Sequence, residues 1–184
     1  MTDPLISLKG EHRVIERALH ALKGMCLRLE GGKPVEPEAL LKLLDFIHIS
    51  CYRGLHQPAE KCLVRTLLER GVQFKGGPLD NILFEHEVER RLVADLDSSV
   101  AAYNRGDPYA SQPLINTANH YVDLMSDHIR NEEHVLFDIM SKVFEDQSIA
   151  LLNMVFEPSD QELGGAACEL FERMVTDLER GWAA

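Results

Sequence analysis

The chain has 184 residues, and 19 lysine and arginine residues against 30 aspartate and glutamate residues give it a net charge of −11. Its 45% of hydrophobic and 27% of charged residues are typical of a globular domain, which excludes a chain that is mainly disordered. The acidic balance also disfavours nucleic acid or an anionic membrane as the main partner.

The first predicted element is a helix that ends at Gly31-Gly32. The residues of one face recur at alternating spacings of three and four, which is the pattern of a helix packed in a bundle. They are Leu5, Leu8, His12, Ile15, Leu19, Leu22, Cys26 and Leu29. Because His12 occupies a position in an otherwise apolar row, we expect its side chain to point into the bundle.

Residues 37 to 70 are predicted to form a second, long helix that ends at Gly71. Gly54 and Pro58 lie inside it, and a proline removes a backbone donor and clashes with the preceding turn. We therefore expect a kink or a local unwinding of this helix.

A third helix is predicted between two strong helix breakers, Gly76-Gly77-Pro78 and Gly106-Asp107-Pro108. Its inner row has the same spacing as that of the first helix. The row is Leu79, Ile82, His86, Glu89, Val93, Leu96, Val100 and Tyr103. Each position lies 74 residues after its counterpart, and Glu85-His86 repeats Glu11-His12, so the chain contains an internal repeat.

A fourth helix is predicted from about Pro113 to Phe144, and a last amphipathic stretch covers about residues 163 to 178. No stretch shows the alternation that is typical of a strand. The predicted fold class is therefore all-α. We expect residues 1–145 to form an antiparallel up-down four-helix bundle, with residues 146–184 as a C-terminal extension of one or two helices packed on it.

The second and fourth helices share the pattern His-x7-His-x3-Glu. Its two copies consist of His48, His56 and Glu60, and of His120, His128 and Glu132. A histidine and a carboxylate four residues apart lie about 40° apart around a helix, so both can reach one atom. Imidazole and carboxylate in a bundle core form a donor set suited to iron, with zinc or manganese as alternatives.

Together with the inward histidines of the first and third helices, this pattern predicts a dinuclear metal site. The candidate ligands are His12, His56, Glu60, His86, His128 and Glu132. Symmetry between the two halves of the chain assigns His12 and His56 to one metal and His86 and His128 to the other. Both carboxylates would then bridge the two metals. Each metal then keeps open positions for water, oxo or a diatomic ligand.

The same residues carry a resemblance to a known family. They stand in the segments Glu11-His12, His56-x-Pro58-x-Glu60, Glu85-His86 with Arg90, and His128-Ile129-x-x-Glu132-Glu133 with Leu136-Phe137. Over roughly residues 5 to 145 the chain resembles the hemerythrin-like, or HHE cation-binding, family of non-haem di-iron proteins. The resemblance implies two iron ions bridged by oxo, hydroxo or water, used in different members for oxygen carriage, for sensing of oxygen or iron, or for defence against nitric oxide or peroxide.

The chain departs from the family pattern at several positions. Many members have adjacent histidines where this chain has His56-Gln57, and Ala59 and Lys61 replace common charged positions. Arg90 stands where oxygen-carrying hemerythrins have a further histidine ligand. This last difference makes simple reversible oxygen carriage less favourable and leaves room for another ligand.

Several residues are candidates for an extra ligand, or for a hydrogen-bond donor to a ligand. They are Glu89, Tyr52, Tyr121, His48 and His120. The two histidines are the weaker candidates because they lie one or two turns from the predicted site. We interpret His20 and His134 as surface residues and Glu133 as a solvated neighbour of the predicted ligand Glu132.

Three functions are compatible with such a site. In the first, the centre binds or senses a small oxidant such as dioxygen, nitric oxide or peroxide. In the second, it is the active site of a redox enzyme (peroxide breakdown, ferrous oxidation or iron-centre repair). In the third, the metal only stabilises the bundle. The sequence has no obvious general acid–base pair outside the predicted ligands, which slightly favours binding over hydrolytic or acyl-transfer chemistry. A protein partner or a homo-oligomer is compatible with any of the three.

The sequence also bears on where the protein works. No apolar run approaches the roughly 18 residues of a membrane span, and the N-terminus lacks the regions of a signal peptide. The four cysteines form no CxxC pair, which favours a reducing compartment over a disulfide framework. We therefore expect a cytoplasmic protein.

Overall fold

The computed structural model describes residues 4–50, 68–69, 71, 78–143 and 170–180. Its helices are α1 (Pro4–Glu30), α2 (Pro37–His48), α3 (Pro78–Asn104), α4 (Ser111–Val143) and α5 (residues 170–180). Every regular element in these ranges is helical, so the all-α prediction is confirmed. None of the helices described here is both long and apolar enough to cross a membrane.

The predicted helix breakers end α1 and α3. After α1, Gly32 has a φ of 68°, and the Lys33 N–H donates to the Arg28 carbonyl at 2.8 Å. After α3, Gly106 has a φ of 79°, and its N–H donates to the Tyr103 carbonyl at 2.9 Å. A positive φ is strained for residues with a Cβ atom, which explains why glycine stands at both ends.

α2 forms the first part of the second predicted helix, residues 37 to 70. Pro37 stands at its first turn, where no backbone donor is needed, and residues 49–50 continue in a wider helical turn. The rest of this predicted helix, with the expected kink at Gly54 and Pro58, lies outside the described residues apart from the helical residues 68–69.

α4 packs against both α1 and α3, and α2 packs against α3. His12 and Lys23 of α1 contact Glu132 and Asn119 of α4, so the two helices run in opposite directions. The complete four-helix antiparallel topology stays a prediction, because most of the second helix lies outside the described residues.

The core contains the inner rows that the sequence predicted. At the end of the bundle where α1 finishes it is apolar, and Leu22, Met25, Leu96 and Leu114 are almost fully buried. Burial of each such side chain contributes about 1.5–3 kcal/mol. Further along the same helices the core becomes polar. The buried residues there are His12, His86, Glu89, His128 and Glu132.

α5 covers α1 and α2. Val175 and Leu178 of α5 are buried, and the ring of Phe171 meets Phe46 edge-on at a centroid distance of 5.7 Å. Arg17 of α1 also binds this helix, donating to the side chains of Glu172, Thr176 and Glu179. An apolar contact and a polar clamp thus hold α5 on the bundle.

Candidate metal centre

Three helices bring four of the predicted ligands into one buried cluster. His12 comes from α1, His86 from α3, and His128 and Glu132 from α4, with side chains 1%, 4%, 1% and 0% exposed. His12 and His86 reach the core because each occupies an inner-row position of its helix. His128 and Glu132 lie one turn apart, so they enter the core on the same face of α4.

Within this cluster, the ring nitrogens face one another and the carboxylate. Nε2 of His86 lies 3.2 Å from Nε2 of His128, with the ring planes at 63°. Oε2 of Glu132 lies 3.2 Å from Nε2 of His12 and 3.7 Å from Nε2 of His128. Glu132 therefore stands between the histidine of α1 and the histidine pair of α3 and α4.

The outer ring nitrogens of two of these histidines are held by further carboxylates. Nδ1 of His128 donates to Oε2 of Glu85 at 2.8 Å, and Nδ1 of His12 donates to Oε1 of Glu133 at 3.0 Å. In each case the carboxylate comes from the neighbouring helix. Both imidazoles consequently present Nε2 to the interior of the cluster.

The charge of Glu132 and Glu133 acts directly on His12. Burial alone lowers the pKa of His12, but hydrogen bonds and charge from Glu132, and then from Glu133, outweigh it, so the pKa is raised above its usual value. Each nitrogen of the His12 ring thus lies beside a carboxylate.

The donor set fits a first-row transition metal. A fully buried carboxylate is costly unless it is paired or bound to a cation, and Glu132 lies next to imidazole nitrogens that are themselves metal donors. If one ion bound two nitrogens with bonds of about 2.1 Å and a right angle between the bonds, the two nitrogens would lie about 3 Å apart. The Nε2 atoms of His86 and His128 are 3.2 Å apart, which is close to this spacing.

Within the ranges that the structure describes, no group of three or more histidine, cysteine or acidic side chains is arranged to hold an ion as it stands. The side chains contact one another directly, as His86 and His128 do.

Two of the candidate extra residues are buried as well. Glu89 follows His86 by one turn of α3 and is 4% exposed, and Tyr121 precedes His128 by two turns of α4 and is 1% exposed. The neighbouring Arg90 donates to Glu87. Glu89 and Tyr121 therefore remain candidates for ligands or for donors to ligands.

The other candidates lie elsewhere or outside the described residues. Nε2 of His48 binds Asp97 at 2.8 Å, and Asp97 is three turns, or about 16 Å, from His86 along α3. His120 is exposed. Three predicted residues, Tyr52, His56 and Glu60, lie outside the described residues.

The interpretation of two further histidines is confirmed, since His20 and His134 are both exposed. Glu133 is 36% exposed, as expected for a solvated neighbour of Glu132, but its carboxylate also binds His12 across a helix interface. Sequence reasoning also missed the role of Glu85. The available signal was the position of each glutamate, directly next to a candidate ligand in Glu85-His86 and Glu132-Glu133.

Buried imidazoles around a buried carboxylate form a donor set of the kind that binds cations in helical proteins. A family model described as the hemerythrin HHE cation binding domain matches residues 3–140, so the chain belongs to this family. This confirms the family predicted from the sequence. Searches of curated proteins and of solved structures found no significant match.

Proposed function

We propose that the chain is a non-haem di-iron protein whose centre binds or senses a small oxidant such as dioxygen, nitric oxide or peroxide. The proposed ligands are His12, His56, Glu60, His86, His128 and Glu132, held by an antiparallel four-helix bundle. The observation that carries the proposal is the buried cluster of His12, His86, His128 and Glu132 in a chain of a cation-binding family.

Iron is supported by the chemistry of the donors. Imidazole nitrogen and carboxylate oxygen together suit iron, whereas structural zinc sites in proteins rely largely on thiolate and imidazole. The internal repeat relates His12 to His86, and the His-x3-Glu pattern of the fourth helix recurs in the second. This duplication supports two metals in preference to one.

A small ligand is supported by the burial of the site. The four side chains are at most 4% exposed, so a molecule of a few atoms has access that a larger substrate does not. Bound iron would supply redox chemistry and open coordination positions for such a molecule. Glu89, one turn after His86 on α3, is a further polar group in this buried part of the core.

Metal analysis followed by ligand titration tests the proposal. Protein reconstituted anaerobically with ferrous iron is expected to hold about two irons per chain, and a stoichiometry near one contradicts the dinuclear model. The reduced protein is then titrated with dioxygen, nitric oxide and peroxide while its absorption spectrum is recorded.

A stable and reversible spectral change supports binding or sensing. Repeated consumption of peroxide, or continuous oxidation of added ferrous iron, would instead support the redox enzyme. A chain that gains thermal stability with iron but gives no spectral response to any of the three molecules would support a purely structural metal.

A further inference from the structure

We propose that Glu85 and Glu133 are positioning residues of the metal centre, each fixing one ligand histidine in the tautomer and orientation that direct its Nε2 inward. The role rests on the di-iron function proposed above, because it concerns two of the ligands assigned there. Neither glutamate is itself among the proposed ligands.

The contact between Glu85 and His128 determines where the imidazole proton lies. An ionised carboxylate can only accept hydrogen bonds, so the 2.8 Å contact places a proton on Nδ1 of His128. A ring that carries this one proton has its lone pair on Nε2. That atom faces Nε2 of His86 at 3.2 Å, and its single lone pair is the one that a metal would use.

Glu133 acts on His12 in the same way. Its Oε1 accepts from Nδ1 at 3.0 Å, which leaves Nε2 directed at Oε2 of Glu132, 3.2 Å away. A metal on the inner side would be held by the unprotonated Nε2, while Nδ1 would keep its bond to Glu133. A carboxylate behind a ligand histidine orients the ring and increases its basicity.

Both bonds cross a helix interface. Glu85 on α3 holds a ring of α4, and Glu133 on α4 holds a ring of α1. Each of these glutamates is also adjacent in sequence to a proposed ligand, His86 or Glu132. One helical turn thus supplies a ligand and orients a second one on the neighbouring helix, so ring orientation depends on helix packing and not on a local rotamer alone.

The surroundings of the two glutamates differ. Glu85 is 21% exposed and also accepts a bond from Asn131 at 3.4 Å. Glu133 is 36% exposed and lines a surface groove of about 470 Å³ between α1 and α4, beside Lys23 and Arg130. Water can reach the second site more easily. We therefore expect loss of the Glu85 carboxylate to have the larger effect.

The variants Glu85→Gln and Glu133→Gln test this role, since glutamine keeps the shape but can donate as well as accept. Glu87→Gln is the matched control, because Glu87 lies on the same helix as Glu85 but binds Arg90 instead of a histidine. Iron affinity is measured by competition with a chelator. Imidazole tautomers in the metal-free proteins are read from nitrogen-15 NMR, a measurement that needs no metal.

Glu85→Gln is expected to weaken iron binding by about 10–100-fold and Glu133→Gln by about 10-fold, the lower end of the range for such partners. The control should stay within about twofold of the wild type. In the metal-free protein, His128 should carry its proton on Nδ1, and Glu85→Gln should produce a mixture of tautomers.

Unchanged affinity in both variants, or an unchanged His128 tautomer in Glu85→Gln, would overturn the positioning role even if the wild type binds two irons. A wild type that binds no metal would instead defeat the proposed function. If Glu85→Gln loses its helical circular dichroism, Glu85→Asp replaces it. A folded Glu85→Asp with weakened iron binding supports the role, and one with wild-type affinity overturns it.

Discussion

The two ends of the helical core are built on the same rows of residues but stabilised differently. On α1, Leu22 in the apolar end and His12 in the polar end are ten residues, or about 15 Å, apart in one row. The apolar end needs only close packing. In the polar end each buried group needs a partner, because an unpaired polar group in the core costs about 1–3 kcal/mol and a charge costs more.

That difference shows how the fold can sustain a metal site. Burial of apolar residues such as Met25 and Leu96 is non-directional and supplies stability wherever the helices meet. The contacts around Glu132 are directional and join helices at defined atoms. We therefore expect variants of the polar end to change metal binding and variants of the apolar end to change stability.

The largest expected effect is the loss of a ligand from the polar end. His128→Ala removes a donor and leaves Glu85 without its histidine, so iron binding should weaken by more than about 100-fold, beyond the range for a partner outside the coordination sphere. Iron per chain after desalting is the measurement. His134→Ala, on the same helix and exposed, is the control, and equal losses in the two variants would contradict the assignment.

A substitution in the apolar end should give the opposite result. Leu22→Ala removes a side chain that is 1% exposed and should lower the free energy of unfolding by about 2–5 kcal/mol. Urea unfolding measures this loss. The folded variant should still hold the wild-type amount of iron, and a loss of iron in proportion to stability would show that the two ends do not act separately.

Removal of the metal should destabilise the wild type through the polar end alone. Iron at about 100 times its dissociation constant contributes about 2.7 kcal/mol to stability by mass action. Addition of a chelator should therefore lower the midpoint of thermal unfolding in the wild type and in Leu22→Ala. It should have almost no effect in His128→Ala, and a similar shift in all three proteins would argue against binding at this cluster.

The smallest expected effect concerns the clamp of α5 on α1, outside both ends. The hydrogen bond from Arg17 lowers the pKa of Glu179, so this pair stabilises the fold at neutral pH and loses its contribution as the pH falls through the lowered pKa. Because both side chains are over a third exposed, Arg17→Ala should cost about 0.2–1 kcal/mol at neutral pH.

Urea unfolding of the metal-free proteins near pH 7 and again at acidic pH measures this effect. The difference between wild type and Arg17→Ala should shrink at acidic pH. A difference that stays constant across pH would mean that the clamp works through packing of the arginine side chain and not through its charge.

The helices and the buried positions were largely predictable from the sequence. Alternating spacings of three and four placed His12, His86 and Glu89 in the core rows, where the structure has them buried. The glycines at 32 and 106 marked helix ends for a local reason, the positive φ that each adopts. Both kinds of signal depend only on neighbours within a few turns of the same helix.

The partners of these residues were not predictable in the same way. Glu133 looked like surface charge because its position on α4 lies beside the core row, and nothing in the sequence indicates that His12 of α1 points at it. His48 shares a pattern with His56, yet its partner is Asp97 of α3. A pattern within one helix does not specify which atoms of another helix lie opposite.

The sequence by itself therefore determined the helical class, the family, the repeat and the side chains that face inward, because helical periodicity and turn chemistry are local. Only the tertiary structure decided that His86 meets His128, that Glu132 stands between His12 and His128, and that Glu85 and Glu133 hold the outer nitrogens. Those contacts depend on how far each helix is rotated and shifted against its neighbours, which is set by packing across the whole bundle.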